Sequence, residues 1–224
     1  MVIDRFRRDG FVAVPEVLPP VECQTIAHGL ALRGSDSAGT RCLLPQDWCA
    51  ALARQLRQHA SIAPNLPEGA VAVQCTYFEK SSARNWLVPV HQDQSIPVAV
   101  RVDATGWRGW SEKEGSLFVQ APVAVLEQLV AVRLHLDDCS AVDGPLRVLP
   151  GSHRLGLLAD EEASRLRARS TEVVCEAHRG DALLLRPLLL HASSKASGHS
   201  QRRVLHFLFG PPELPQGLRW QHAV

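Results

Sequence analysis

The chain has 224 residues, of which 46% are hydrophobic and 21% charged, and its formal net charge is +1. This composition is typical of a globular domain with a sizeable core, and it excludes a disordered chain. A charge balance this close to zero gives no reason to expect nucleic acid or an anionic membrane as a partner.

The sequence also bears on targeting and on the redox state of the cysteines. No leader peptide is visible after Met1, and no apolar run approaches the ~20 residues that a membrane-spanning helix needs. The six cysteines are scattered without a CxxC pair, which indicates reduced thiols. We therefore expect a cytoplasmic protein whose partners include no membrane.

The first third of the chain is predicted to be mainly helical. Residues 11–18 have the pattern of an extended segment, and Pro19-Pro20 then opens a helix that runs to about residue 33. The clearest helical pattern covers residues 46–60, where apolar side chains recur on one stripe.

From Val71 onward, short strands and turns dominate. Strands are predicted over residues 71–79, 86–91, 97–102, 129–138, 144–149, 171–177, 181–186 and 202–209, and helices over 122–129 and 159–169. Many short strands that follow helices, and do not alternate with them, indicate an antiparallel sandwich or barrel. We expect one domain over residues 1–224, with 1–70 as helical support and 71–210 as the β core.

The stretch VPVHQDQS carries the first candidate metal ligands. His91 and Asp93 are two residues apart after an apolar run, so on a β-strand their side chains would point the same way. His191 ends the apolar run ALLLRPLLLH far along the chain. Two histidines and one carboxylate are what a facial triad for non-haem Fe(II) requires. The competing interpretation is that these are ordinary polar residues on a strand face or at the rim of the core.

A second His-x-Asp pair, His135 and Asp137 in LHLDD, competes with the first. On residue pattern alone, either pair is compatible with a metal site or with a solvated strand face. The choice between them stays open at this point.

Arg202 begins the last strong strand, eleven residues after His191, and Ser200 precedes it by two. A guanidinium beside a metal can hold a carboxylate in bidentate fashion, with a serine hydroxyl as a further donor. Fe²⁺, one aspartate and one arginine sum to two positive charges, which a dicarboxylate such as 2-oxoglutarate would neutralise. The alternative is an exposed arginine that opens an edge strand.

Four longer stretches together resemble a known family. They are FRRDGFVAVPEVLPPVE, FEKSSARNWLVPVHQDQSIPV, RLHLDDCSAVDGPLRVLPGSHRLG and GDALLLRPLLLHASSKASGHSQRRVLHF. In this order they are similar to the phytanoyl-CoA dioxygenase-like branch of the Fe(II)/2-oxoglutarate oxygenases. The resemblance implies a mostly β fold with flanking helices, namely a cupin-like double-stranded β-helix, or jelly roll, with an N-terminal helical layer.

The resemblance also implies roles for individual residues. His91, Asp93 and His191 would be the iron ligands, which decides against His135 and Asp137 as ligands. Arg202, assisted by Ser200, would anchor the remote carboxylate of 2-oxoglutarate, and O₂ would be the second cosubstrate. Further positions implied to line the cosubstrate pocket are Gln74, Thr76, Arg133 and His135.

The implied reaction is hydroxylation, or another oxidation of a C–H bond, of a small molecule. Halogenating relatives replace the carboxylate ligand with a small residue, whereas Asp93 is present here. His153 follows a Pro-Gly turn and is expected to hydrogen-bond its loop rather than bind metal. Trp107 and Trp110 lie in the long segment 101–117, which would either form a lid over the iron or be anchored to the body by these tryptophans.

Two other functions remain as alternatives. A cupin-like isomerase or dioxygenase would need the metal ligands but no carboxylate anchor, so Arg202 discriminates it from the lead hypothesis. A non-catalytic metal-binding or sensor protein would have no need to keep both the triad and the anchor.

Overall fold

The computed structural model describes residues 2–31, 39–198 and 200–224. The helices are α1 Val2–Asp9, α2 Pro20–Ala31, α3 Asp47–Gln58, α4 Val123–Leu126 and α5 Asp160–Arg169. The strands are β1 Phe11–Val14, β2 Gly39–Thr40, β3 Val71–Lys80, β4 Val88–His91, β5 Ser95–Val98, β6 Arg108–Lys113, β7 Ser116–Gln120, β8 Val130–His135, β9 Leu146–Val148, β10 Val173–Cys175, β11 Ala182–Leu185, β12 His191–Ser193 and β13 Arg202–Gly210. None of the described helices is long and apolar enough to cross a bilayer.

The strands form three sheets in which neighbours pair antiparallel. The six-stranded sheet has the order β1-β11-β8-β13-β3-β2, the four-stranded sheet β10-β9-β12-β4, and the three-stranded sheet β5-β7-β6. The prediction of a mostly β, antiparallel architecture is confirmed. Within the segment predicted as helical support, β1 contributes an edge strand to the large sheet by pairing with β11.

The large sheet separates two apolar layers, because side chains alternate along each strand. On β13, Leu205, Phe207 and Phe209 pack with α1, α2 and α3 on the outer face. Leu208 faces inward and packs with residues of the two smaller sheets. Arg202 and His206 lie on the same inner face as Leu208 and line a cavity, so this face holds both part of the core and a cavity.

Some predicted bounds differ from the structure. Residues 97–102 were expected to be extended, but β5 ends at Val98, where the chain turns and Ala99 bonds to the Arg219 carbonyl. The helix expected over 122–129 is a single turn, α4. The segment 101–117 contains most of a β-hairpin, β6 and β7, which turns at Glu114 and Gly115 with positive φ angles of 52° and 75°. Strands were not predicted there, because the segment is polar and glycine-rich and lacks the alternation of apolar residues that indicates a strand.

One buried ion pair ties the large sheet to the helices. Arg203 donates to both oxygens of Asp137 at 2.8 Å and also to the carbonyl of Ala27 in α2. The side chains of Arg203 and Asp137 are 16% and 8% exposed. Alternation along β8 predicts Asp137 on the face of Arg133, but the strand ends at His135 and the chain turns Asp137 to the helical side. Arg203 points away from Arg202, as the alternation on β13 predicts.

We expect Asp137→Ala to lower the free energy of unfolding by about 3 kcal/mol, because it leaves the Arg203 guanidinium buried without its charge partner. Asp103→Ala removes an exposed carboxylate and should change stability by less than about 0.5 kcal/mol. Chemical denaturation of both variants measures the difference. Equal stabilities would show that the pair does not hold the layers together.

Candidate metal and cosubstrate site

The two candidate histidine ligands face each other across a strand pair. His91 ends β4 and His191 begins β12, and the antiparallel register makes them direct partners. Their ring centroids lie 4.2 Å apart. The strand pairing therefore brings together two imidazoles that are a hundred residues apart in the sequence.

Both rings are oriented by backbone carbonyls. Nδ1 of His91 lies 2.9 Å from the Pro89 carbonyl, and Nδ1 of His191 lies 2.8 Å from the Leu189 carbonyl. A carbonyl oxygen only accepts, so each Nδ1 carries the proton and each Nε2 presents a lone pair. This is the arrangement in which histidine binds a metal through Nε2.

Asp93 completes the cluster two residues beyond β4. Its Oδ1 lies 3.6 Å from His91 Nε2, and its Oδ2 lies 3.7 Å from His191 Nε2. One ligand atom from each of the three residues lies within 4.8 Å of the others. The backbone N–H of Asp93 donates to the Pro187 carbonyl at 2.9 Å, which fixes the turn.

Gln92, between the two ligands, points the other way and is buried. Its Nε2 donates to the carbonyls of Leu188 and Gly156 at 2.7 and 2.8 Å, and its Oε1 accepts from the Leu158 N–H at 2.9 Å. One side chain thus joins the ligand turn to two other loops. Nothing in the residue pattern distinguished Gln92, because its partners come from distant loops.

The charges of the cluster suit a cation. Although burial opposes the ionised form, the neighbouring His191, His91 and His206 hold the pKa of the Asp93 carboxyl well below its usual range. Burial lowers the pKa of His191 in spite of the Asp93 carboxylate, which favours a neutral imidazole. For His91, by contrast, burial is outweighed by the Asp93 carboxylate, which raises the pKa of this imidazole, so a metal bound there would displace a proton.

The three residues lie in the wall of a cavity of about 440 Å³. This volume is within the range of roughly 300–1,000 Å³ that small-molecule sites occupy. Gln74, Thr76 and Arg133 line the same cavity, as does Arg202. The structure therefore brings most of the predicted site residues to one chamber between the sheets.

Arg202 and Arg133 are buried cations in this wall, 4% and 6% exposed. Arg202 donates to the carbonyl of Gly144, and its Nε has no partner. Arg133 lies over the ring of Phe78 at 5.5 Å, and its Nε also lacks a partner. Burial, with the charge of Arg202, lowers the pKa of Arg133 to about 9. Within the described chain, neither guanidinium has a carboxylate at ion-pair distance, so both can receive an acid from outside.

Gly144 explains how Arg202 is seated. This glycine has a φ of 64°, and a Cβ on it would lie 2.5 Å from the carbonyl oxygen of Ser194. Its own carbonyl also accepts a hydrogen bond from Ser193 at 2.8 Å. Only a glycine lets the chain turn this tightly beneath the guanidinium.

Ser200 and His135 do not lie where the resemblance implied. Ser200 is exposed, does not line the cavity, and donates its hydroxyl to Asp143 instead. His135 is buried behind the cavity wall, and its Nδ1 has no partner. Burial lowers the pKa of His135 well below its ordinary value, and the charges of Arg133 and Arg202 add to this.

Three polar residues at this wall were not predicted from the sequence, although each lies on a strand that carries a predicted residue. They are Lys80, Ser193 and His206. Ser193 lines the cavity two residues after His191, and it accepts from the buried Lys80 ammonium at 2.9 Å. Burial, with the charge of Arg202, lowers the pKa of Lys80 to about 8. His206 shares its face with Arg202, and its Nε2 lies 4.0 Å from Asp93.

The remaining sequence expectations concern residues outside the cavity. Trp107 is buried and donates to Gln216 at 2.5 Å, while Trp110 is half-buried under Arg101. Neither lines the cavity, so the tryptophans anchor the hairpin and do not cover the ligand cluster. His153 contacts the Arg7 carbonyl at 3.3 Å, in agreement with a role in the loop.

Solved structures share this architecture. AviO1 from Streptomyces viridochromogenes Tue57 is 24% identical, with a TM-score of 0.64 over 96% of this chain and 95% of that one. HygX from Streptomyces hygroscopicus, solved with nickel and 2-oxoglutarate bound, is 20% identical, with a TM-score of 0.63 over 94% and 86%. SnoK, a non-haem alpha-ketoglutarate-dependent carbocyclase from nogalamycin biosynthesis, is 14% identical, with a TM-score of 0.66 over 96% and 87%. The predicted jelly roll is confirmed.

The sequence comparison decides the family. No curated protein matches the chain. The family model for phytanoyl-CoA dioxygenase (PhyH), however, matches residues 6–204, which include the histidine–aspartate cluster and Arg202. The chain therefore belongs to the phytanoyl-CoA dioxygenase family.

Proposed function

We propose that the protein is a non-haem Fe(II)- and 2-oxoglutarate-dependent dioxygenase. It hydroxylates, or otherwise oxidises a C–H bond of, a small molecule and releases succinate and CO₂. The observation that carries this proposal is one cavity with a two-histidine, one-carboxylate cluster in its wall and unpaired buried arginines beside it. Membership of the family supports the same conclusion.

The donor set fits Fe(II). His91, Asp93 and His191 supply two imidazole nitrogens and one carboxylate, which is the facial set that leaves coordination positions open. The Asp93 side chain is 41% exposed, so one side of the cluster remains accessible. Asp93 is a carboxylate and not the small residue of halogenating relatives, which favours C–H oxidation over halogenation.

The arginine wall fits the remote carboxylate of 2-oxoglutarate. We assign Arg202 as its anchor, assisted by the cavity-lining Ser193, which donates to the same Gly144 carbonyl, in place of Ser200. Gln74 and Thr76 share the inner face of β3, where the Gln74 amide donates to the Thr76 hydroxyl at 2.8 Å. These groups would position the cosubstrate by hydrogen bonds, and Arg133 adds positive charge next to them.

The bound metal and cosubstrate would supply the oxidising chemistry, and the chain supplies geometry and charge. His91 and His191 are held with Nε2 toward the cluster by their carbonyl partners. Arg202 fixes the acid end of the cosubstrate, so its keto acid end is directed toward the ligands. The apolar side chains of Ile96, Phe118 and Leu208 line the rest of the chamber, where they would pack against bound carbon atoms.

The proposal predicts a weak visible charge-transfer band when the oxygen-free protein receives Fe(II) and 2-oxoglutarate. We expect Asp93→Ala to abolish the band by loss of a ligand, and Arg202→Ala to weaken cosubstrate binding by at least about tenfold. Arg54→Ala, on an exposed face of α3, is the matched control. Bound iron without a band would instead indicate a cupin-like enzyme that does not use 2-oxoglutarate, and absence of bound iron would contradict both.

The different positions of the two serines give a second prediction. Ser193→Ala should raise the dissociation constant for 2-oxoglutarate about tenfold, since it removes a cavity hydroxyl and a partner of buried Lys80. Ser200→Ala should change it by less than about twofold, because Ser200 lies outside the cavity. Titration of the chelate band compares them, and the opposite order would return the anchor-assisting role to Ser200.

Gln92 generates a third prediction, about metal affinity. Gln92→Leu keeps the side-chain size but removes three hydrogen bonds behind the ligand turn, and we expect Fe(II) affinity to fall about tenfold or more. Gln55→Leu, on an exposed helical position, should leave it unchanged. Competition with a chelator measures the affinity, and a circular dichroism spectrum checks the fold. Unchanged Fe(II) affinity in a folded Gln92→Leu variant would show that the three hydrogen bonds of Gln92 do not position His91 and Asp93.

A further inference from the structure

The cavity carries more positive charge than bound iron and 2-oxoglutarate can neutralise. Among residues 2–31, 39–198 and 200–224, the charged lining residues other than histidine are Arg41, Asp93, Lys113, Arg133 and Arg202. Asp93 is thus the single acid among them. The charge count made from the sequence included one arginine only and reached neutrality, so the structure corrects it.

Bound Fe²⁺ and the dianion of 2-oxoglutarate cancel each other, so they do not remove this excess. Arg41 is neutralised locally, because its guanidinium pairs with Glu114 at 3.1 Å. Lys113, Arg133 and Arg202 remain against Asp93, which leaves two positive charges in excess. The buried Lys80 behind the wall adds to this excess and does not offset it. Arg133 and Arg202 are buried, and charges removed from water need a compensating charge, whereas the half-buried Lys113 also contacts solvent.

Lys113 is the cation best placed for a second ligand. It ends β6 in the hairpin wall, whereas Arg133 and Arg202 lie on the large sheet. Its ammonium lies over the ring of Phe118 at 5.1 Å, and Phe118 also lines the cavity. The neighbouring Glu114 is occupied by Thr40 and Arg41. No acid of the described ranges 2–31, 39–198 and 200–224 lies at ion-pair distance from Lys113.

The unpartnered Arg133 supports the same conclusion independently. Its guanidinium is 94% buried (6% exposed) in the cavity wall, and no side chain or carbonyl of the described chain accepts a hydrogen bond from its Nε. If Arg133 assists Arg202 on the cosubstrate, one monoanionic carboxylate faces two guanidinium groups. The excess positive charge then still has to be met by the other substrate.

We infer that the primary substrate is an organic anion, and that Lys113 receives its carboxylate or phosphate group. This inference rests on the proposed function, because it concerns the part of the cavity that iron and 2-oxoglutarate leave free. Phe118, which lies under the Lys113 ammonium, and the cavity-lining Ile96 would pack on the carbon skeleton. Acids are selected over neutral analogues of equal shape, because a neutral group leaves the lysine uncompensated.

The test uses the full chain, free of oxygen and loaded with Fe(II) and saturating 2-oxoglutarate, so that the Arg202 end is filled. Matched acid and neutral probes are titrated by their perturbation of the chelate band. Benzoate against benzamide forms the carboxylate arm, and glycerol 3-phosphate against glycerol forms the phosphate arm. We expect the acid of one arm to bind at least about tenfold more tightly than its neutral partner.

Variants assign the preference to Lys113. Lys113→Gln should abolish the difference between acid and neutral probe, while Lys113→Arg should retain most of it. The exposed Lys195→Gln is the matched control and should behave as the wild type. The affinity for 2-oxoglutarate should stay within about twofold in all three variants, which separates a substrate group from a cosubstrate anchor.

The outcomes separate failure of the inference about Lys113 from failure of the proposed function. A normal band without acid preference in either arm, or a preference that survives Lys113→Gln, overturns the inference and leaves the proposed function intact. A large loss of 2-oxoglutarate affinity in Lys113→Gln also overturns it, because Lys113 would then serve the cosubstrate. Absence of the band in the wild type overturns the proposed function, and the inference with it.

Discussion

The antiparallel pairing of β4 with β12 is the constraint on which the site depends. It makes His91 and His191 direct neighbours, and the carbonyls two residues before each histidine then set both rings. Each contact joins an imidazole Nδ1 to a backbone carbonyl, so both rings are oriented before any metal binds. Preorganisation of this kind avoids the free energy of ordering side chains at the moment of binding.

The large sheet provides the complementary part of the site. Alternation along β13 sends Leu205, Phe207 and Phe209 to the helices and Arg202, His206 and Leu208 to the interior. The same strands thus form the support and one wall of the chamber. Burying arginine cations is costly, and within the described chain the Nε atoms of Arg133 and Arg202 have no hydrogen-bond partner, which is the reason for proposing a bound anion there.

The three-stranded sheet has a different part in the architecture. Trp107 fixes the hairpin segment to the chain near Gln216, so β6 and β7 form a wall and not a free lid. Lys113 and Phe118 reach the cavity from this wall. Variation in this hairpin is therefore a route by which related proteins could change substrate while the iron and cosubstrate residues stay in place.

Sequence alone was sufficient for the fold class, the family and the chemical identity of the cluster. Strand alternation and motif order depend on local residue patterns, and His91, Asp93, His191 and Arg202 stand in motifs that a linear sequence displays. Local patterns also placed Arg203 on the face opposite Arg202.

Only the tertiary structure decided which other groups meet at the cavity. It placed Ser193, and not Ser200, in the cavity wall, turned Asp137 toward the helices, and brought Lys113 to a chamber whose other lining residues lie in distant strands. It also showed that Gln92 holds the turn, since its three hydrogen-bond partners come from two distant loops. These outcomes depend on strand ends, turns and long-range pairing, in which one residue of register reverses the direction of a side chain. The charge balance of the cavity is a property of the assembled walls, so it could be counted only once they were in place.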